Sequence, residues 1–168
     1  KSLLKCVMSL AQLDPFYRSG TDEYEIGNIT KQQILDLQGI AALMKRATFR
    51  AKRVVILNPT FNWASQLVGG ADADLVLDNL LVDVKTTIYP KFTRDHFNQL
   101  IGYYILAHIG GVERAPRNHE IKSLGIYFSR CGYLFSFDVD SIMEKKKLKS
   151  FVRWFKDRAE QEEMFAYG

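Results

Sequence analysis

Asp72-Ala73-Asp74-Leu75-Val76-Leu77-Asp78-Asn79-Leu80-Leu81-Val82-Asp83-Val84-Lys85 decides how this chain folds, because it reads as two strands joined by a two-residue turn. Aspartate and asparagine tolerate positive φ, so Asp78-Asn79 between runs of β-formers forms a tight hairpin loop. Counting outward sets Leu77 against Leu80, Val76 against Leu81, Leu75 against Val82 and Asp74 against Asp83, with Asp72 opposite Lys85. Side chains alternate along a strand, so the acids and Lys85 share one face. Leu75, Leu77, Leu80, Val82 and Val84 take the other, which is the expected core face.

Two carboxylates facing each other across a sheet repel by about 1 kcal/mol at 4 Å in water, and by roughly 4 kcal/mol at an effective dielectric near 20. Lys85 offsets part of that. A divalent cation with hard oxygen ligands offsets more, and clustered carboxylates suit Mg²⁺ or Mn²⁺. The expected site therefore begins with Asp74, Asp83 and Lys85, with Asp72 held as the alternative to Asp74.

Downstream, Asp95 or Thr93 caps a helix whose apolar stripe is Phe97, Leu100, Ile101, Tyr104 and Ile105, and Gly110-Gly111 stops it. Gln99 and Tyr103, four residues apart, stack on one face of that helix, with His96 a turn earlier. Gln99 and Tyr103 are site candidates; His96 is read as a polar helix residue.

Gly69-Gly70-Ala71-Asp72-Ala73-Asp74, the strand ending in Asp83-Val84-Lys85, and Gln99-Leu100-Ile101-Gly102-Tyr103 occur in that order. The combination resembles the PD-(D/E)XK nuclease superfamily, more narrowly its RecB-like branch, which carries a glycine before an acid, an acid-x-Lys at a strand end and a Gln-x-x-x-Tyr on the next helix. The resemblance covers residues 69 to 103. This chain lacks the usual proline before the first acid. The resemblance implies metal-dependent hydrolysis of DNA phosphodiesters, with Asp74, Asp83 and the Val84 backbone carbonyl holding Mg²⁺ (or Mn²⁺), and Lys85, Gln99 and Tyr103 completing the catalytic group. It also implies a restriction-endonuclease-like core of the order αβββαβ.

With 168 residues, 47% of them hydrophobic and 12% aromatic, the chain suffices for one substantial core, and we expect a single domain over 1–168. It opens on Lys1, so we expect a trimmed or excised piece, with room for a partner domain outside it or for a homo-oligomer. No apolar run approaches a membrane span and no signal peptide opens the chain, so no membrane partner and a cytoplasmic location are expected. Cys6 and Cys131 read as free thiols. Two cysteines exclude the iron–sulfur subgroup of RecB-like nucleases, and the three histidines show no zinc spacing. Walker, nucleophile-elbow and zincin motifs are absent.

A net charge of +4 leaves a basic surface once three acids are committed to a cation, which fits a polyanion partner. Lys91 and Arg94, between the lysine motif and the Gln99 helix, are the expected DNA contacts. The Lys145-Lys146-Lys147-Lys149 cluster reads as a solvated face, and Arg18 as a turn residue.

Around these motifs, residues 2 to 13 read as an amphipathic helix, and Thr30-Lys31-Gln32-Gln33 as a capping box opening a core helix to about Ala47. Asp36 or Gln38 on it are possible additions to the site. Arg53 to Leu57 reads as a strand, Ala64 to Val68 as the strand feeding the hairpin, Lys122 to Ser129 and Tyr133 to Asp138 as two more, and Ser141 to Phe165 as a final helix. The expected architecture is α/β, a central mixed sheet flanked by helices. Its expected function is that of a deoxyribonuclease; the alternative is a catalytically inactive nucleic-acid-binding or assembly module of the same fold.

Overall fold

Leu77 pairs with Leu80, Val76 with Leu81 and Leu75 with Val82, the register counted from the sequence. The computed structural model that gives this pairing describes residues 2–13, 27–44 and 48–166. The chain divides into two compact units, Lys1–Met44 and Lys45–Gly168.

In the first unit, α1 spans Ser2–Ala11 and α2 spans Lys31–Leu43. Thr30 opens α2 with the expected box: its hydroxyl accepts from the Gln33 N–H, while the Gln33 side chain accepts from the Thr30 N–H. Ile34 is the buried residue of α2, and Leu35 and Met44 are exposed, so the helix is less fully packed than its apolar content suggests. Arg18, Lys45, Arg46 and Ala47 lie outside the described residues.

The second unit is α/β. Its sheet runs β1 (Val55–Leu57), β2 (Leu75–Leu77), β3 (Leu80–Lys85), β4 (Ser123–Phe128) and β5 (Tyr133–Asp138), side by side in chain order. All neighbours are antiparallel except β3 and β4, so the sheet is mixed. A parallel pair needs a crossover. Here that crossover contains α3 (Arg94–Gly110), capped by Thr93, whose hydroxyl accepts from the His96 N–H. The His96 ring nitrogen Nδ1 in turn accepts from the Thr93 N–H, so His96 acts at the cap. The last helix, α4, spans Lys145–Ala166, starting later than expected because residues 139–141 form a 3-10 turn.

Two expectations are corrected. Residues 64–68 are not a strand: Asn62–Val68 is a 3-10 helix. The Ser65 hydroxyl accepts from the Phe61 N–H and donates to the Ala71 carbonyl, and such local bonds compete with a ladder. Gly69, at φ +72°, then ends the segment in a conformation that suits glycine. Gly110 lets this segment sit against α3, since a Cβ there would meet the Phe61 carbonyl oxygen.

The second correction concerns the faces of the hairpin. Leu75, Leu77 and Val82 do cluster, with Tyr127, but this is the smaller core. The larger one lies on the acid-bearing face, where Val76, Leu81, Leu124, Ile126 and Phe128 meet Leu100, Ile101 and Ile105 of α3 and the Leu148, Phe151, Val152, Phe155 stripe of α4. One face is apolar at its middle and ionic at the end of β3, and a simple inside/outside alternation misses that change along the strand.

Candidate functional site

Beyond the Leu75–Val82 pair, β2 gives out: Asp74 sits in a bend, and its backbone carbonyl accepts from the Asn58 N–H at 2.9 Å. Its side chain turns to β3, where Oδ2 accepts the Val84 N–H at 2.6 Å. A residue's N–H and C=O point to the same side of an extended strand, so the Val84 carbonyl is directed toward this end of the hairpin too.

Asp83 is 4% exposed, although it is a carboxylate. Lys85 Nζ lies 2.8 Å from its Oδ2 as an ion pair. That ion pair is the partner Oδ2 has; among the described residues no further group donates to it. Burying a charge is costly unless it is paired, and Lys85 supplies that pairing for Asp83.

Lys85 Nζ also donates to Gln99 Oε1 at 2.8 Å, and Gln99 Nε2 donates to the Tyr103 hydroxyl at 2.8 Å. An ammonium only donates, so it fixes the Gln99 amide with its oxygen toward Lys85 and its nitrogen toward Tyr103. Burial raises the Tyr103 phenol above its ordinary pKa; the Gln99 bond opposes that, and the charges of Asp83, Asp72 and Asp74 add to it. All three acids are therefore felt at one ring. Tyr103 is held in turn by Phe61, ring centroids 5.5 Å apart.

Burial likewise pushes the Asp74 carboxyl above the usual range; the Val84 N–H opposes this, the Asp83 charge reinforces it, Lys85 lowers it, and Asp72 raises it further. Asp72 is exposed, bridged through its backbone to Thr60. The arrangement brings together Asp74, Asp83, Lys85, Gln99 and Tyr103. Lys91 and Arg94 are exposed, on the loop into α3 and at its first residue, and neither forms an ion pair among the described residues.

The opposite end of the hairpin shows what the sequence reading missed. Asp78, at φ +49°, does more than turn the chain. Its carboxylate accepts the N–H groups of Lys52, Arg53 and Val54 at 2.7, 2.8 and 3.0 Å, and those bonds hold its pKa below the usual range. The signal available beforehand was an aspartate in a turn, a residue type that readily bonds backbone N–H groups.

Among the described residues, no group of three or more His, Cys, Asp or Glu side chains is placed to hold a metal ion. Two carboxylates with a backbone carbonyl remain a fit for Mg²⁺, which keeps several waters and takes one or two carboxylates. The buried Asp83 carboxylate, with Lys85 as its protein partner, points the same way. No described helix is long and apolar enough to cross a membrane. Compared with models of known protein families, with curated proteins and with solved structures, the chain finds no match.

Proposed function

We propose that this protein is a metal-dependent nuclease that hydrolyses phosphodiester bonds in DNA. The observation that carries the reading is the buried Asp83 carboxylate, with the Lys85 ammonium fixed 2.8 Å from it by Gln99 and the Asp74 carboxylate held on the neighbouring Val84 N–H. A fold alone would not argue for cleavage; a site does.

Asp74, Asp83 and the Val84 carbonyl would hold the cation. When bound, Mg²⁺ or Mn²⁺ supplies charge neutralisation on the scissile phosphate and acidifies water for attack. The chain's own groups do the positioning. Lys85, fastened by Asp83 and Gln99, presents a fixed positive charge to the negative charge that develops on the phosphate oxygens. Gln99 and Tyr103 keep that ammonium in place, so little reorganisation is left for the moment of reaction. Lys91 and Arg94 supply exposed charge for the DNA backbone on the approach to α3.

The test is cleavage of linear, circular and single-stranded DNA with Mg²⁺, with Mn²⁺ and with EDTA, beside Asp83→Asn and Lys85→Ala, each variant checked for folding by circular dichroism. Cleavage that needs the cation and is lost in both folded variants supports the reading. Equal cleavage by all three proteins identifies a contaminant. DNA binding without cleavage under any condition leaves the inactive module.

A further inference from the structure

We propose that Ile88 and Tyr89, at the tip of the loop between β3 and α3, form a stacking support for the bases of a single DNA strand, with Lys91 and Arg94 on its phosphates. This names the form of DNA that the hairpin site would receive, and so it rests on the nuclease reading. Tyr89 is 76% exposed and Ile88 68%. Isolated exposed apolar residues need no explanation, whereas two adjacent ones on a braced loop beside a charged site do.

The loop is fastened at both ends. At its start, the Ser129 N–H donates to the Lys85 carbonyl at 3.1 Å, and the Thr86 and Ser129 hydroxyls share a bond of 2.9 Å. At its end, Phe92 packs on Phe135, ring centroids 4.9 Å apart, and lies 6.4 Å from the His96 ring, itself 6.3 Å from that of Phe128. Phe128 is the β4 partner of Lys85, so the loop leaves the site lysine and returns beside it. The tip is shaped as well. The Tyr89 N–H donates to the Thr87 hydroxyl at 3.1 Å, and the Lys91 N–H donates to the Tyr89 carbonyl at 2.8 Å, closing a γ-turn centred on Pro90. Proline fixes φ close to the value an inverse γ-turn requires. A tip held in this way has little freedom left to lose on binding.

The charges beside it favour one ligand. Lys91 and Arg94 are exposed and form no ion pair among the described residues. Asp95, the acid next in sequence, sits in the first turn of α3, where the positive end of the helix offsets it. Four residues of chain place the Tyr89 Cα no more than about 14 Å from that of Lys85. An apolar protein pocket would take Ile88 and Tyr89 and leave both cations unused. An anionic lipid surface would suit tip and cations, yet gives no reason for the tip to be tied to the site lysine. A single strand uses all three features: phosphates on the cations, an unpaired base on the phenol ring, and the next phosphodiester led toward Lys85. A duplex keeps all but its terminal bases covered by their neighbours.

Binding is measured on the whole chain in EDTA, where cation-dependent cleavage is silent, by the fluorescence anisotropy of an end-labelled twenty-residue oligothymidylate at low salt. Tyr89→Ala should weaken binding about 5- to 150-fold, and Tyr89→Phe, which keeps the ring face, should recover most of the loss. Lys91→Ala and Arg94→Ala should each flatten the dependence of log affinity on log salt by about 0.7. On a twenty-base-pair duplex the loss in Tyr89→Ala should be several-fold smaller. Melting curves of the variants separate these losses from unfolding.

An unchanged oligothymidylate affinity in Tyr89→Ala, or an equal loss on strand and duplex, would overturn the stacking tip. So would Tyr89-dependent binding to phosphatidylserine vesicles by a protein that ignores the oligonucleotide. Cation-dependent cleavage with wild-type affinity in Tyr89→Ala overturns the stacking tip and leaves the nuclease standing. Tyr89-dependent strand binding in a protein that never cleaves supports the stacking tip and overturns the nuclease.

Discussion

The two ends of one hairpin treat their aspartates in opposite ways. At the turn, Asp78 collects three backbone N–H groups from residues 52–54, and its pKa falls. At the open end, Asp74 is driven up by burial and by its acidic neighbours, and the buried Asp83 has one ammonium as its partner. Three cross-strand pairs separate a carboxylate that builds structure from a pair that crowds like charge. Placing like charges together without enough donors costs stability, and such clusters are where function is sought first. A cation would relieve the open end and has nothing to add at the turn.

The strongest way to break this contrast is to neutralise one acid from the open end. Asp83→Asn should lower Mg²⁺-dependent cleavage by about a thousandfold, since a bound cation contributes several kcal/mol to the transition state. Asp78→Asn, at the turn, should leave cleavage by the folded protein unchanged. Next in size is Gln99→Ala, which frees Lys85 on one side while keeping its charge and its pairing to Asp83. A supporting residue of this kind is worth about 10- to 100-fold, read as a lower turnover rate in the same assay.

Stability sharpens the contrast through its sign. Asp78 has a depressed pKa in the fold, so its contribution is present above the ordinary carboxylate range and disappears as pH falls through the folded value. Asp78→Ala, which leaves three N–H groups without that acceptor, should therefore lower the melting temperature by several degrees at neutral pH, and the gap should close in strong acid. Asp74 runs the other way. Its raised pKa makes its contribution present below the ordinary value and lost as pH rises through the folded one. In metal-free protein, Asp74→Asn, which still offers the Val84 N–H an acceptor, should melt slightly higher than wild type at neutral pH and equal to it in acid. A loss of stability in that variant would mean that the open end is not under electrostatic strain.

Much of this could be read from the residues in advance, and the limits have physical causes. The Asp78-Asn79 turn fixes the register by counting, and helical spacing sets Gln99 and Tyr103 in line, where they are hydrogen-bonded. The threonine caps of α2 and α3 are visible because Thr-x-x-Gln and Thr-x-x-His put an acceptor three residues on. What escaped was whatever depends on contacts between distant segments. Residues 64–68 hold strand-compatible leucine and valine, yet the Ser65 hydroxyl and Gly69 bend them into a 3-10 helix. The acid-bearing face looks like a solvent face in sequence, yet α3 and α4 cover its apolar half. Asp78 reaches back some 25 positions to residues 52–54, and the exposure of Trp63 and Trp154 follows from helix placement that periodicity does not supply.

In the reading proposed here the open end of the hairpin, and not its turn, is a cation site. Titration of the whole chain with Mn²⁺, followed by the electron paramagnetic resonance signal of the free ion, addresses it without any need for turnover. Saturable binding is expected in wild type and in Asp78→Asn, and its loss in folded Asp83→Asn. Undiminished Mn²⁺ binding by Asp83→Asn would contradict it.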